Sequence, residues 1–188
     1  MDKELIASQL NHYLSLATIV GGLFIILFAC YLVFVIYFRN DRREPNLLKI
    51  ISEYVLPLGF FASLGGTLMS LFYSEYLLYA PCSLCWYQRI FLYPQVFLFA
   101  YAWYRKDKNI LPYSLLLSFV GLLIALDHHV LQIGYNALAP CSTAPFAVDC
   151  AVPSFIEFGF VTFPLMSLVL FGFLIVIVVV AQKFAKNK

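Results

Sequence analysis

Long apolar runs separated by short charged patches dominate the chain. Five runs occupy about residues 12–38, 54–79, 86–104, 111–133 and 158–182. Each approaches or exceeds the roughly 18 to 20 residues that cross the hydrocarbon core of a bilayer as a helix. The pattern therefore predicts an all-α integral membrane protein with five transmembrane helices.

The composition supports the same interpretation. Hydrophobic residues make up 63% of the 188 positions and charged residues only 12%, so the chain lacks the polar surface of a soluble protein of this size. No segment is left over for a separate soluble domain, and no internal repeat is visible. The first apolar run is longer than the core of a signal peptide, and its positive charges follow it, so we expect a retained helix.

The distribution of Lys and Arg predicts the orientation. Segments 39–53, 105–110 and 183–188 are rich in basic residues, whereas segments 81–85 and 134–157 contain neither Lys nor Arg. Because basic loops stay on the cytoplasmic side of a membrane, the first group is expected inside and the second outside. Five spans with the N-terminus outside and the C-terminus in the cytoplasm satisfy every loop.

Four of the five cysteines fall in the two outward segments, as Cys82 with Cys85 and Cys141 with Cys150. Thiols on the outer face of a membrane meet an oxidising compartment, so we expect one disulfide within each pair. The fifth, Cys30, lies in the middle of the first run, and we expect it to be a small buried apolar group.

The first cysteine pair has the design of a redox element. A Cys-x-x-Cys bond closes too short a loop to stabilise a fold appreciably. Cys85 opens the third run, where the N-terminus of a helix favours a thiolate, and Arg89 lies one turn further on and supplies a cation. The second pair, Cys141-x8-Cys150, lies on a Pro-containing loop that we expect to be exposed and able to move.

Two histidines, His128 and His129, stand near the end of the fourth run. Ionisable residues near or inside a membrane are costly and are therefore functional candidates. A histidine here could donate a hydrogen bond or a proton to a bound ligand. The alternative is that both side chains simply lie at the wet interface, and the residues alone leave this open.

Residues 81–89, Pro-Cys-Ser-Leu-Cys-Trp-Tyr-Gln-Arg, resemble the signature of the disulfide bond formation protein B (DsbB/BdbC) family, in which an arginine follows the Cys-x-x-Cys by four positions. The resemblance extends over roughly residues 54–183. It implies a four-helix transmembrane bundle at 54–188, preceded by one additional N-terminal transmembrane helix and a basic cytoplasmic loop at 1–53.

The resemblance also implies a path for electrons. Cys141 would be attacked by a reduced DsbA-like thioredoxin-fold protein, and the released Cys150 would exchange with Cys82. Cys85 would then pass the electrons to a membrane quinone, either ubiquinone or menaquinone. Such partners are strong oxidants at about −120 mV, so a quinone sink is needed to reoxidise them.

The cofactor-binding residues implied by the resemblance are Arg89 beside the quinone and His128, whose spacing to Gln132 fits the family's His-x-x-x-Gln, with His129 as the second choice. The expected setting is a bacterial cytoplasmic membrane, with the bilayer and the thioredoxin-fold protein as partners. We expect no metal and no nucleic-acid partner.

Two features depart from the family's usual pattern. The first span is additional to the usual four helices, and it places the N-terminus outside. The second cysteine pair encloses only eight residues, whereas longer members have an extended loop there. Short-loop relatives resembling BdbC show the same variation, although docking of the partner could differ.

Three other interpretations compete. The four outward cysteines could bind zinc, although the eight-residue gap in the second pair is unlike the close spacing of structural zinc ligands. The chain could be a structural or transport bundle with inert disulfides. It could also be a relative of vitamin K epoxide reductase, but the arginine four residues after the motif favours the DsbB-like assignment.

Overall fold

The computed structural model describes residues 3–38, 46–135, 141 and 148–185, apart from the side chains of 36–38, 184 and 185. Its helices are α1 (Lys3–Phe38), α2 (Asn46–Leu71), α3 (Ser83–Arg105), α4 (Leu111–Gln132) and α5 (Phe163–Ala185), and a π-helical segment (Phe72–Tyr76) continues α2. Over these ranges the only β-type pairing is an isolated bridge between Glu157 and Val161. The predicted all-α membrane fold is confirmed.

Four helical stretches in the described part of the chain are long and apolar enough to cross a membrane: Lys3–Val35, Asn46–Tyr76, Leu111–Gln132 and Phe163–Lys183. Helix α3 corresponds to the third predicted run and is 23 residues long. It is less apolar than the others because its buried face carries Gln88, Arg89 and Gln95. These polar side chains point into the bundle, where other side chains can satisfy them.

Some helix boundaries differ from the predicted runs. Helices α1 and α2 begin earlier, at Lys3 and Asn46, because a helix can continue past its apolar stretch into polar sequence. Helix α5 begins later than predicted, at Phe163. The preceding residues form a tight turn instead, closed by the Val161 N–H donating to the Glu157 carbonyl oxygen at 2.9 Å.

Helices α2 to α5 form a four-helix bundle in which α2 packs on α3, α3 on α4, α4 on α5 and α5 on α2. The core side chains come from all four helices: Val55, Leu56, Leu92, Phe99, Ala102, Leu111, Ala125, Phe171, Leu174, Ile177, Val178 and Ala181. Glycines allow the helices to approach closely, as Gly66 and Gly121 show. A Cβ at Gly66 would collide with Leu170, and one at Gly121 would collide with Phe171.

Helix α1 lies outside this bundle, against α5. Near its C-terminal end, Phe28 and Leu32 pack with Leu48 and Val180. The other faces of α1 are largely exposed and apolar, as a lipid-facing surface requires. Cys30 is on the exposed side. The prediction that Cys30 is buried is therefore wrong, because a helix packed along one side buries only the residues on that side.

The N-terminal half of α1 is attached to the bundle by polar contacts near the cysteines. The Tyr73 hydroxyl donates a buried hydrogen bond of 2.6 Å to Asn11 Oδ1. Lys3 Nζ donates to the Tyr76 carbonyl oxygen at 3.0 Å. His12 Nδ1 lies 3.9 Å from a carboxylate oxygen of Glu157. The end of the molecule that carries the cysteines is therefore joined to α1 as well as to the bundle.

Candidate functional site

The first cysteine pair is built into the start of α3. Cys82 is the N-cap residue, with an extended backbone, and its sulfur accepts a hydrogen bond from the backbone N–H of Cys85 at 3.4 Å. This contact satisfies one of the N–H groups that the first turn of a helix leaves unpaired. The two sulfurs are 3.0 Å apart and unbonded. The expected disulfide is thus absent, and the structure shows the pair as a dithiol.

The second pair forms the expected disulfide between Cys141 and Cys150. Cys150 is buried, whereas Cys141 is partly exposed. The prediction of an exposed loop is therefore wrong for Cys150, which packs with Cys82 and Leu84 at the end of the bundle. Residues 142–147 lie outside the described residues, and so does the prediction that this loop moves.

The two pairs lie side by side, and Ser83 makes the contact between them. Its hydroxyl oxygen is 3.4 Å from the Cys150 sulfur and 3.7 Å from the Cys141 sulfur. Ser83 directly follows Cys82 in the chain, so the second disulfide rests on the first residue of α3. The fold therefore brings together the four cysteines that the sequence singled out.

His128 of α4 is buried against the same group. Its Nε2 lies 3.6 Å from the Cys82 sulfur and 3.2 Å from the Cys150 carbonyl oxygen. Its Nδ1 lies 3.0 Å from Nε2 of Gln88. A Gln88 amide that donates to Nδ1 leaves the imidazole proton on Nε2, which then faces the cysteines.

Gln88 was not among the residues predicted from the sequence. The available signal was an amide side chain one turn after Cys85 in a mostly apolar helix, at a position that α3 buries. A buried amide needs hydrogen-bond partners. Its partner, His128, comes from a different helix, and sequence spacing alone does not show that contact.

Gln132 and His129 have different positions at the site. The amide nitrogen of Gln132 lies 3.3 Å from His128 Nε2 and 3.4 Å from the Cys150 carbonyl oxygen, while its Oε1 is buried without a hydrogen-bond partner in the described part of the chain. His129 Nδ1 lies 3.2 Å from the Thr162 hydroxyl, just before α5. Of the two candidate histidines, only His128 contacts a cysteine of the first pair in the described residues.

The hydrogen bonds around Cys82 favour its thiolate. The hydrogen bond with the Cys85 thiol contributes most, and the His128 imidazole adds to it. Together they lower the pKa of Cys82 to about 4, although burial opposes them. The sequence argument had placed the thiolate on Cys85. In this reduced pair the N-cap cysteine is the favoured site, because it accepts hydrogen bonds from both Cys85 and His128.

Arg89 is also buried, one turn beyond Cys85. Its Nε donates to the Ser70 hydroxyl at 3.0 Å, and its Nη2 donates to the Ser70 carbonyl oxygen at 3.1 Å. The guanidinium carbon lies 5.1 Å from the centre of the Trp86 ring, in a cation–π arrangement. Ser70 stands shortly before the π-helical segment that extends α2, and such segments are frequent at functional sites.

The donor atoms of Cys82, Cys85 and His128 lie within 4.8 Å of one another, a grouping that could hold a metal ion. The alternative predicted from the sequence was zinc bound by four thiols. That set is not assembled here, because Cys141 and Cys150 are bonded to each other. The unbonded sulfurs in contact with each other suit dithiol chemistry, and the Cys141–Cys150 disulfide packs beside them.

The amino-acid sequence of this chain is similar to those of known proteins. A family model described as disulfide bond formation protein DsbB matches residues 52–181. The SPbeta prophage-derived disulfide bond formation protein B of Bacillus subtilis is 38% identical over 144 residues, which cover 74% of this chain and 95% of the relative. The probable disulfide formation protein C 1 of Bacillus anthracis is 41% identical over 136 residues, 72% of this chain and 95% of the relative.

A probable disulfide formation protein of Oceanobacillus iheyensis is 39% identical over 136 residues, which cover 71% of this chain and 86% of the relative. No solved structure matches the chain significantly. The family match begins within α2, so α1 precedes it.

Proposed function

The chain belongs to the DsbB family of disulfide bond formation proteins, and on that premise we propose that it reoxidises a DsbA-like thioredoxin-fold protein and passes the electrons to a membrane quinone. It is a multi-pass membrane thiol–disulfide oxidoreductase. The proposal adds to this activity the DsbA-like protein as electron donor and the quinone as electron acceptor.

One observation carries the proposal, namely the contact between the two cysteine pairs. Ser83 lies within 3.4 Å of the Cys150 sulfur, and Cys82 and Cys150 belong to one buried cluster. Exchange between two disulfides requires the attacking and attacked sulfurs to approach directly. An inert pair of staples would have no need for this proximity.

In each proposed exchange, one S–S bond forms as another breaks, and an electron pair passes to the released sulfur. A thiolate of the reduced partner attacks Cys141, the Cys141–Cys150 bond breaks, and its electron pair goes to Cys150. The Cys150 thiolate attacks Cys82 in a Cys82–Cys85 disulfide, and that electron pair goes to Cys85. A second thiol of the partner then attacks its own mixed disulfide with Cys141, which releases the partner oxidised and sends that electron pair to Cys141. The Cys141 thiolate attacks Cys150 in the Cys82–Cys150 bond, which restores the Cys141–Cys150 disulfide and leaves Cys82 and Cys85 as the reduced pair.

Residues near Cys85 fit a quinone. A bound quinone would supply a two-electron sink, and its carbonyl oxygens would require hydrogen-bond donors. Arg89 has five N–H groups, of which the two contacts to Ser70 use two. The exposed Trp86 and Ile90 offer an apolar approach from the lipid. We assign the remaining Arg89 donors to the quinone oxygen.

We assign His128 to proton handling at the pair, since its Nε2 faces Cys82. Its proton can be held beside the thiolate and donated when the sulfur is protonated or displaced. His129, which contacts Thr162, is the second candidate for the quinone site. We further propose that the end carrying the cysteines faces outward from a bacterial cytoplasmic membrane. Among the described residues of the basic segments, Arg105 and Lys108 lie at the opposite ends of α3 and α4 from the cysteines, and basic residues favour the cytoplasmic side.

The division of the chain is part of the proposal. Residues 54–188 would carry the complete redox bundle, and residues 1–53 would add one helix to it. The family match to residues 52–181 supports this boundary. The contacts of Asn11 and Lys3 with the segment that follows α2 indicate that α1 packs beside the redox end.

The test is quinone reduction by the purified full-length protein supplied with a reduced DsbA-like partner, using ubiquinone and menaquinone in turn. We expect Cys85→Ser to reduce turnover to background, because the electron pair then has no sulfur from which to leave. Cys30→Ser is the matched control, since Cys30 is exposed on α1 and should leave turnover unchanged. Full turnover in Cys85→Ser would contradict the proposal, and so would an inactive wild-type protein with both quinones.

A further inference from the structure

Ser83 occupies the first variable position of the Cys-x-x-Cys motif, and its side chain contacts the other disulfide. The hydroxyl oxygen lies 3.4 Å from the Cys150 sulfur and 3.7 Å from the Cys141 sulfur. Both sulfurs of the second pair are thus within reach of one hydroxyl group. The residue is partly buried, at the first position of α3 after the N-cap.

The direction of these contacts follows from chemistry. The Cys141 and Cys150 sulfurs are joined in a disulfide and carry no hydrogen, so the Ser83 hydroxyl can only donate in these contacts, and its single hydrogen can turn to either sulfur. The Cys141 sulfur has a second donor, the backbone N–H of Cys150 at 3.3 Å. The disulfide therefore accepts hydrogen bonds from two directions before any thiol attacks it.

We propose that Ser83 is a catalytic residue of the second disulfide, and that its hydroxyl stabilises the Cys150 thiolate released when Cys141 is attacked. This inference rests on the exchange between pairs proposed above. In the step concerned, the incoming thiolate forms a bond to the Cys141 sulfur, the Cys141–Cys150 bond breaks, and the electron pair goes to Cys150. No proton is transferred, because Ser83 keeps its hydrogen and only shares it.

The expected effect is on rate. A neutral disulfide sulfur accepts a weak hydrogen bond, whereas a thiolate accepts a stronger, charge-assisted one. The contact therefore strengthens as charge develops on Cys150, which is the condition for catalysis. A better stabilised leaving thiolate departs faster. The same contact keeps Cys150 beside the residue that follows Cys82, its next target.

The test isolates the second disulfide in full-length protein carrying Cys82→Ser and Cys85→Ser, which can neither accept electrons from Cys150 nor reduce a quinone. Dithiothreitol at pH 7 is the attacking thiol, and timed alkylation measures how fast the disulfide opens. Adding Ser83→Ala should slow the opening by roughly tenfold or more, the size expected for one hydrogen bond to a charged group. Alanine is compatible with the start of a helix, so the fold should persist.

Two further variants separate the hydroxyl from packing. Ser83→Thr keeps the hydroxyl, so its disulfide should open within about twofold of the parent rate. If the effect of Ser83 came from packing alone, the added methyl group of threonine would slow the opening. Ser154→Ala removes an exposed hydroxyl four residues after Cys150 and should have no effect. An Ala variant as fast as the parent, or a Thr variant as slow as Ala, would overturn the inference. Because no quinone or partner is present, either result is independent of the proposed electron path.

Discussion

Two buried glutamines on one face of α3 make contrasting contacts with α4. Gln95 Oε1 accepts hydrogen bonds from the hydroxyls of Ser114 at 2.7 Å and Ser118 at 3.1 Å, while its Nε2 donates to the Phe91 carbonyl oxygen. Gln88, two turns earlier, contacts Nδ1 of His128, whose other nitrogen faces Cys82. The helix thus uses the same side chain twice, once among groups that do not titrate and once beside a redox pair.

The difference shows that burial of an amide does not by itself indicate a functional site. Both glutamines join α3 to α4, and both are buried. Serine hydroxyls keep their protons throughout the physiological pH range, so the Gln95 cluster can only hold the helices together. The imidazole of His128 presents its other nitrogen to the Cys82 sulfur, so the Gln88 contact can influence chemistry at Cys82.

The largest effect is expected when the titratable member is removed. His128→Leu should lower turnover by about 100-fold, the lower end of what a positioned acid–base group contributes. In reduced wild type, the Cys82 thiolate should be lost as the pH falls through about 4. Without the imidazole, that midpoint should move to higher pH. Thiolate absorbance during a pH titration measures the shift.

His129→Leu is the matched control for this prediction. His129 is the neighbouring residue, but it contacts the Thr162 hydroxyl. Its removal should leave the Cys82 midpoint in place. A midpoint near pH 4 in His128→Leu, or an equal shift in both variants, would show that the His128 contact does not set the charge of Cys82.

A smaller effect on rate is expected from Gln88→Leu. The variant removes the partner of Nδ1, so the imidazole loses the contact that fixes its proton on Nε2. We expect exchange between the cysteine pairs to slow about tenfold, equivalent to one ordinary buried hydrogen bond. Single-turnover kinetics with rapid acid quenching follow the Cys82–Cys150 exchange. An unchanged rate would show that Gln88, like Gln95, only joins α3 to α4.

Gln95→Leu should have the opposite profile. Two serine hydroxyls lose their acceptor, and the free energy of unfolding should fall by about 1–2 kcal/mol. Serine can redirect its hydroxyl to a carbonyl oxygen one turn earlier, which limits the loss. Denaturation in detergent measures the stability. Turnover per folded molecule should match wild type, and a lower value would mean that the two glutamines belong to one coupled network.

The sequence predicted the helices and the grouping of the cysteines for physical reasons. Apolar runs of membrane length have one stable conformation in lipid, and the absence of Lys and Arg places both cysteine segments at the same end. The Cys141–Cys150 bond is confirmed. It was predictable because the two residues are close in sequence and lie in the same outward segment. Patterns that depend on length and composition were therefore predictable.

Contacts between helices were not predictable in the same way. The approach of Gln88 to His128 depends on how α3 is rotated against α4. The donation from Arg89 to Ser70 likewise depends on the register of α3 and α2. The exposure of Cys30 follows from α1 having its main contact with α5. Rotation and register come from side-chain packing, which apolar periodicity in a membrane helix encodes weakly.

The smallest effect is expected when only one of the two serine hydrogen bonds to Gln95 is removed. Ser118→Ala removes the longer of the two hydrogen bonds to Gln95 Oε1, and Ser114 still supplies the shorter one. The amide oxygen keeps a donor, so the free energy of unfolding should fall by only about 0.5 kcal/mol. Ser114→Ala should cost about twice as much by the same measurement. A loss of turnover in Ser118→Ala would contradict the separation, because a cluster with no titratable member would then be controlling cysteines about three turns away.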